Sequence, residues 1–308
     1  MQEIFQKTIS KSVELEGIGL HSGVKTKIKI LPAKVNTGIV FKRIDIKKDN
    51  LIEANYKNVF SARLCTSLKN KSNISISTVE HLMAAFYMVG IDNALIEVNG
   101  PEIPIMDGSS KNFVETIKNV GLETLNGKRK FLKILRTIEN QEGEKLIAIK
   151  PSSLGLEVDF QLDYKNEIIG KQQNTINFSK DDLENIYSSR TFCLYEDIAE
   201  IKKYGLAKGG SLDNAIVVQD NKVLNKDGLR NDKEFVNHKI LDLVGDFFLS
   251  GFRIIGNIKS VQGGHQLSTS FIKKVFEQKN NYLFLELENV DYKKKGFVVQ
   301  NQKIAASA

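Results

Sequence analysis

In Phe235-Val-Asn-His-Lys-Ile-Leu-Asp-Leu-Val-Gly-Asp246 a polar residue returns every fourth position, at His238, Asp242 and Asp246, within a largely apolar run. On a helix that spacing stacks the three on one face, with neighbours about 5 to 6 Å apart, so His238 and Asp242 can grip one cation. A catalytic zinc ordinarily takes three protein ligands and keeps a fourth position open. A third is available in Ile76-Ser-Thr-Val-Glu-His-Leu-Met-Ala-Ala-Phe86, which reads as the start of an amphipathic helix carrying Glu80 and His81 side by side. His81 can complete the ligand set, and Glu80 is the carboxylate that can take a proton from an attacking water. Such a set requires a fold that brings together two helices remote in sequence.

The segments around these helices are strand-like. Residues 1 to 60 alternate as strands do, in Lys25-Thr-Lys-Ile-Lys-Ile-Leu31 and Gly38-Ile-Val-Phe41, with turns at Pro32 and Asn36-Thr-Gly38, and predict an antiparallel sheet. After the helix near Ser77 come a strand at Asn93-Ala-Leu-Ile-Glu-Val98, a loop at Asn99-Gly-Pro-Glu-Ile-Pro104 and a helix from Ser110 to Asn119. Ser109 or Ser110 is its expected cap. The polar stretch Gly121-Leu-Glu-Thr-Leu-Asn-Gly-Lys-Arg-Lys130 marks a boundary, giving an N-terminal domain over 1–126 and a C-terminal domain over 127–308. The second half repeats the order: strands to Phe178, a helix from Ser179 with acidic residues in its first turn, a helix from Phe235 to Leu249, then further strands. The expected fold is α+β, two similar domains, each a layered β-sheet packed with helices. A small inserted β-α-β element at Tyr195 to Val218 interrupts the second domain; it serves either to thicken the core or, with Gly209-Gly210 beside small residues, to leave a slot for an apolar ligand.

A chain of 308 residues with 41% hydrophobic residues and 4 prolines is long enough for two cores and too apolar for a disordered protein. The net charge of +7 favours anionic partners, which include nucleic acids, acidic membrane surfaces and phosphorylated small molecules. A nucleic-acid reading has poor support, because the basic residues are spread along the chain without aromatic interleaving or a reading helix. The start, MQEIFQKTISKS, lacks the features of a signal peptide, and no stretch approaches the roughly 20 apolar residues of a spanning helix. A cytoplasmic location is expected. Cys65 and Cys193 lie far apart in unlike contexts and read as free, partly buried thiols.

Plainer readings compete for the same residues. Ser77-Thr-Val-Glu80 fits a capping box in which Glu80 reaches back to the Ser77 amide. An i, i+4 His-Asp pair is often a surface contact, and His21 in Gly17-Ile-Gly-Leu-His-Ser-Gly23 serves equally to shape a turn. Against these stands coincidence: of four histidines, His81, His238 and His265 all fall in motif-like settings. The glycines of Gly263-Gly-His-Gln-Leu267 also let backbone and imidazole approach a ligand closely.

Taken together, TVEHL at 78–82, NHKILDLVGD at 237–246, GGHQLS at 263–268, EIPIMDGS at 102–109, GIGLHSG at 17–23 and RTFC at 190–193 resemble UDP-3-O-acyl-N-acetylglucosamine deacetylases, zinc enzymes of lipid A biosynthesis in Gram-negative bacteria. The resemblance implies an active site between the two domains and one Zn²⁺ held by His81, His238 and Asp242. It implies that Glu80 is the base, that His265 stabilises the oxyanion and protonates the leaving amine, and that Asp246 orients His265. Thr191 matches the family's hydroxyl donor to the oxyanion, while Phe192, Lys239 and Asp197 match positions at the substrate. The insert resembles the family's passage for the 3-O-acyl chain, with Ile198, Ile201, Ala207, Ser211, Ala215 and Val217 as its lining. The implied partner is the small-molecule substrate, acting on a monomer without nucleic acid or stable membrane insertion. The chain departs from the family at Gln262, where members often carry a basic side chain near the diphosphate. Lys239 or Lys259 is the expected compensation. Phe160 is a candidate to stack on uracil, and the run Lys293-Lys-Lys295 is a candidate for weak contact with an acidic membrane surface.

Overall fold

The computed structural model describes residues 4–153 and 155–287. Alternation in Lys25–Pro32 buries Thr26, Ile28 and Ile30 on one face. This strand lies second in a five-stranded sheet ordered Val13–Ile18, Lys25–Pro32, Ala94–Val98, Ile39–Arg43, Leu51–Glu53. The sheet is not wholly antiparallel as expected, because Ile39–Arg43 runs parallel to Ala94–Val98. A parallel pair needs a long crossover, and the crossover here contains the helix that carries Glu80 and His81.

In the second half a seven-stranded sheet is built around Arg253–Val261, which pairs with Lys145–Lys150, Leu156–Asp163 and Lys130–Ile134. Ile138–Glu142, Lys171–Asn177 and Tyr282–Glu286 complete it. Before entering this sheet the chain runs through Leu122–Lys128, which pairs antiparallel with Phe5–Ile9. The fold is α+β, as the sequence predicts.

Six α-helices fall among the described residues: α1 (Glu80–Val89), α2 (Lys111–Val120), α3 (Glu184–Tyr187), α4 (Tyr195–Lys203), α5 (Glu234–Phe248) and α6 (His265–Glu277). The predicted insert is present, with Phe192–Leu194 leading into α4 and then into Ile216–Gln219, the two strands parallel. The helix expected from Ser179 is reduced to α3. Its first residues are held in turns instead, where Asp181 accepts from the Asn177 N–H, Asn177 from the Ser179 N–H and Asp182 from the Glu184 N–H. Short polar side chains compete in this way with helical hydrogen bonds. Conversely, α6 forms where only strands were expected.

The amphipathic helix read at Glu80 is in fact enclosed. Every residue of α1 from Glu80 to Tyr87 is buried, and so is every residue of α5 except Lys239. The two helices pack chiefly on each other, and Gly245 is the reason they can come so close. A Cβ at that position would stand 2.1 Å from the Glu80 carbonyl oxygen. Nor does the capping box form. Thr78 turns the chain at φ 57°, and Val79 takes the N-cap position without a side-chain cap. Ser77 instead accepts a hydrogen bond from the Ser67 hydroxyl at 2.9 Å.

The Gly245→Ala substitution tests this contact. Alanine in a helix interior usually stabilises relative to glycine, but here the methyl must push two backbones apart, at a cost of about 1 to 3 kcal/mol. The urea midpoint of the variant should fall; an unchanged or higher midpoint contradicts the close-approach account.

Candidate metal centre

The α1–α5 contact brings together the three residues singled out as ligands. His238 Nε2 lies 3.3 Å and His81 Nε2 3.5 Å from Asp242 Oδ1, and the two imidazoles meet edge to face at 5.0 Å between centroids. Two bonds of about 2.1 Å at a tetrahedral angle separate ligand atoms by about 3.4 Å, so the spacing suits zinc. Asp242 Oδ1 is buried and has no hydrogen-bond partner among the described residues. An unpaired buried carboxylate oxygen is costly unless a cation meets it. The residues therefore fit the ion.

The three candidate ligands are fixed in different ways. His238 Nδ1 lies 3.1 Å from the Ser189 carbonyl, an arrangement that puts its proton there and leaves the Nε2 lone pair to face the site. Burial pushes this imidazole down to about 3 against the pull of Asp242, which keeps it neutral. His81 Nδ1 has no partner; its backbone is fixed instead, by the Ser110 hydroxyl donating to the His81 carbonyl at 2.7 Å. Ser110 occupies the N-cap position of α2 without capping it, and Ser109 accepts from the Lys111 N–H. Burial works against charge on Asp242, yet the neighbouring cations Lys239 and His265 hold its carboxyl well below the ordinary carboxylate range. Lys239 Nζ is 2.9 Å from Asp242 Oδ2.

Around the ligands stand Glu80, Asp246 and His265, all buried. His265 Nδ1 is 2.8 Å from Asp246 Oδ2, and its Nε2 faces Glu80 Oε1 at 3.7 Å and Asp242 Oδ2 at 3.9 Å. Burial alone would lower the His265 imidazole, but the Asp246, Asp242 and Glu80 carboxylates outweigh it and lift it to about 10. Burial raises the Glu80 carboxyl above its ordinary value. Thr66, which the sequence reading passed over, donates its N–H to Glu80 Oε2 at 3.0 Å and its hydroxyl to Asp246 Oδ1 at 2.5 Å.

Two cavities meet here. A cleft of about 850 Å³ opens over Glu80, His81, His238, Asp242 and His265, and Asp197, Lys239 and Gln262 also line it. An apolar cavity of about 350 Å³ lies within the insert, and Ile198, Ile201, Ala207, Ser211, Ala215 and Val217 all line it. Thr191 and Phe192 border both, so they mark the junction. A second overlooked feature fixes that junction. Glu234 is fully buried and accepts from Arg190 at both its backbone N–H (3.0 Å) and its Nε (2.8 Å).

The remaining candidates fall differently. Phe160 does not stack in the cleft; it is 1% exposed in the core of its sheet, below Gly263. Gln262 donates its side-chain amide to the Asp163 carbonyl. Lys259 is exposed and lines neither cavity. His21 lines the apolar cavity with its Nε2 buried and unpartnered. Cys65 is buried and Cys193 partly so, both unpaired thiols.

A family model described as UDP-3-O-acyl N-acetylglycosamine deacetylase matches residues 6–277. Among curated proteins, the UDP-3-O-acyl-N-acetylglucosamine deacetylase of Haemophilus ducreyi is 38% identical over 302 residues, covering 97% of this chain and 99% of the relative. The proteins of the same name from Geotalea uraniireducens and Haemophilus influenzae are each 39% identical over 302 residues, with 98% of both chains covered in the first case, and 97% of this chain and 99% of the relative in the second. With a family match across most of its length and relatives this similar end to end, the chain belongs to the UDP-3-O-acyl N-acetylglycosamine deacetylase family.

Proposed function

We propose that the chain hydrolyses the 2-acetamido group of UDP-3-O-acyl-N-acetylglucosamine, giving acetate and UDP-3-O-acyl-glucosamine as the committed step of lipid A biosynthesis, with one Zn²⁺ held by His81, His238 and Asp242. The observation that carries this reading is the unpartnered Asp242 Oδ1 facing two imidazole Nε2 atoms in a polar cleft joined to an apolar passage. Zinc bound there supplies a Lewis acid for the amide carbonyl and lowers the pKa of water.

The protein side chains divide the proton work. Glu80, tied by Oε2 to the Thr66 N–H, presents Oε1 to the cleft and takes the proton of the attacking water. His265, kept protonated by its carboxylate neighbours, stabilises the developing oxyanion and gives its proton to the leaving amine. Asp246 orients its ring. Thr191 donates its hydroxyl to the same oxyanion. Phe192, Lys239 and Asp197 contact the sugar-nucleotide, and the acyl chain enters the passage lined by Ile198, Ile201, Ala207, Ser211, Ala215 and Val217.

The wider setting belongs to the same proposal. The enzyme works as a cytoplasmic monomer whose two domains divide near 126/127. Among the described residues no helix is long and apolar enough to cross a membrane. Any membrane contact is then peripheral; the Lys293-Lys-Lys295 run offered for it lies outside the described residues.

Acetate release from UDP-3-O-acyl-N-acetylglucosamine, followed by mass spectrometry, is the direct test. Chelation should abolish it and zinc add-back restore it; full turnover in a metal-free preparation would sink the reading. Glu80→Gln should keep its zinc yet lose about 10² to 10⁴-fold in turnover, whereas loss of the metal would assign Glu80 a ligand or structural role instead. The passage makes a separate prediction. Ala215→Phe should fill it and shift preference toward shorter acyl chains, and an unaltered chain-length profile would place the acyl group elsewhere.

A further inference from the structure

Thr66 is fully buried, and each of its polar groups is engaged with a segment of the site. Its N–H donates to Glu80 Oε2 at 3.0 Å, its hydroxyl to Asp246 Oδ1 at 2.5 Å, and its carbonyl accepts from the N–H of Val79, the N-cap of α1, at 3.3 Å. Glu80 belongs to α1 and Asp246 to α5, so Thr66 is one residue touching the carboxylates of two helices. It reaches this place through a tight turn, with Leu64 at φ 64°, that leads into the short strand Ser67–Lys69.

The geometry points to Thr66 as the positioning residue that sets the proton donor and the proton acceptor of the reaction relative to each other. This inference rests on the roles proposed above for Glu80 and His265. Both carboxylates have two oxygens with different tasks. Thr66 occupies Oε2 of Glu80 and leaves Oε1 facing His265 Nε2 at 3.7 Å. It occupies Oδ1 of Asp246 and leaves Oδ2 for His265 Nδ1 at 2.8 Å. Without these two bonds either carboxylate can rotate in its pocket, and rotation of Asp246 also turns the imidazole. Because Thr66 lies in the N-terminal half and Asp246 in the C-terminal half, the hydroxyl bond also fixes the two helices in register at the reacting atoms. No ligand of the metal is involved.

Thr66→Val removes the hydroxyl while keeping shape and the backbone N–H; Thr66→Ser keeps the hydroxyl. In the full zinc-loaded chain, Thr66→Val should retain its metal and a near-normal KM while kcat falls about 10- to 100-fold, the usual penalty for losing an orienting hydrogen bond behind a reacting group. Thr66→Ser should restore kcat. A kcat per zinc-loaded chain that is unchanged in the valine variant, or not rescued by serine, overturns the inference. If the valine protein does not fold, Thr66→Ala is read by the same criteria. A second measurement needs no substrate: the proton NMR resonance of the His265 Nδ1–H, expected far downfield in wild type and the serine variant, should move upfield or broaden in the valine variant. An identical resonance in all three also overturns the role of Thr66. Absence of acetate release by the wild-type chain would instead count against the proposed reaction, and the NMR comparison would still decide the positioning.

Discussion

The close approach of α1 and α5 at Gly245 is the constraint on which the site depends. With no side chain at that position, the Glu80 carbonyl occupies the space a methyl would need, and His81 is brought within 3.5 Å of the Asp242 carboxylate. Two helices with ordinary side chains at their contact stand about 8 to 10 Å apart, and widening this crossing by the thickness of a methyl group would draw His81 away from its partners. The same closeness buries the polar faces of both helices. Once enclosed, Glu80, Asp242 and Asp246 can persist only if every oxygen finds a donor or a cation. Thr66, Lys239 and His265 are the donors present.

What the sequence revealed follows from how local each signal is. The four-residue spacing of His238, Asp242 and Asp246 is a property of one helix, and it survives intact in α5. The residues that line the apolar cavity share one insert, where apolar and small side chains cluster in the sequence. Thr66 was not legible, since its partner Asp246 is 180 residues away and a threonine near a strand reads as a strand former. The apparent capping box misled because Ser77-Thr-Val-Glu80 has the right residues, while Thr78 takes φ 57° and donates its hydroxyl to the distant Glu102 at 2.7 Å. In α6 the signal was present and overlooked. Leu267, Phe271, Ile272 and Val275 recur at helical spacing and are all buried, yet only strands are expected from the sequence beyond Leu249.

The arrangement of polar and apolar space separates the two demands placed on the enzyme. Phe192 stands at the junction of the cleft and the passage, edge to face with Phe235 and 5.8 Å below the Lys239 ammonium. An aromatic ring there offers a hydrophobic edge to one side and a face for a cation on the other. Its position is set from outside by the buried Arg190–Glu234 pair, which anchors the segment bearing Thr191 and Phe192 to the first turn of α5. The helix that supplies His238 and Asp242 thus also fixes the point where an acyl chain would leave the polar cleft.

Charge balance explains why so polar a cluster can be stable inside the fold. Glu80, Asp242 and Asp246 bring three carboxylates to a region where Lys239 and His265 are the cations at hand. If all are ionised, one negative charge is left over. Burial raises the Glu80 carboxyl, and the Asp246 and Asp242 carboxylates add to that against His265 and His81. A carboxylate serves as a base only when it is deprotonated, and a divalent cation bound beside Asp242 would reverse the sign of the excess. Glu80 and Asp242 are coupled through electrostatics, and Glu80 and His81 through their adjacency in the chain. The unpartnered Asp242 oxygen and the raised Glu80 carboxyl belong to one buried cluster, and burial is the main cause of the second.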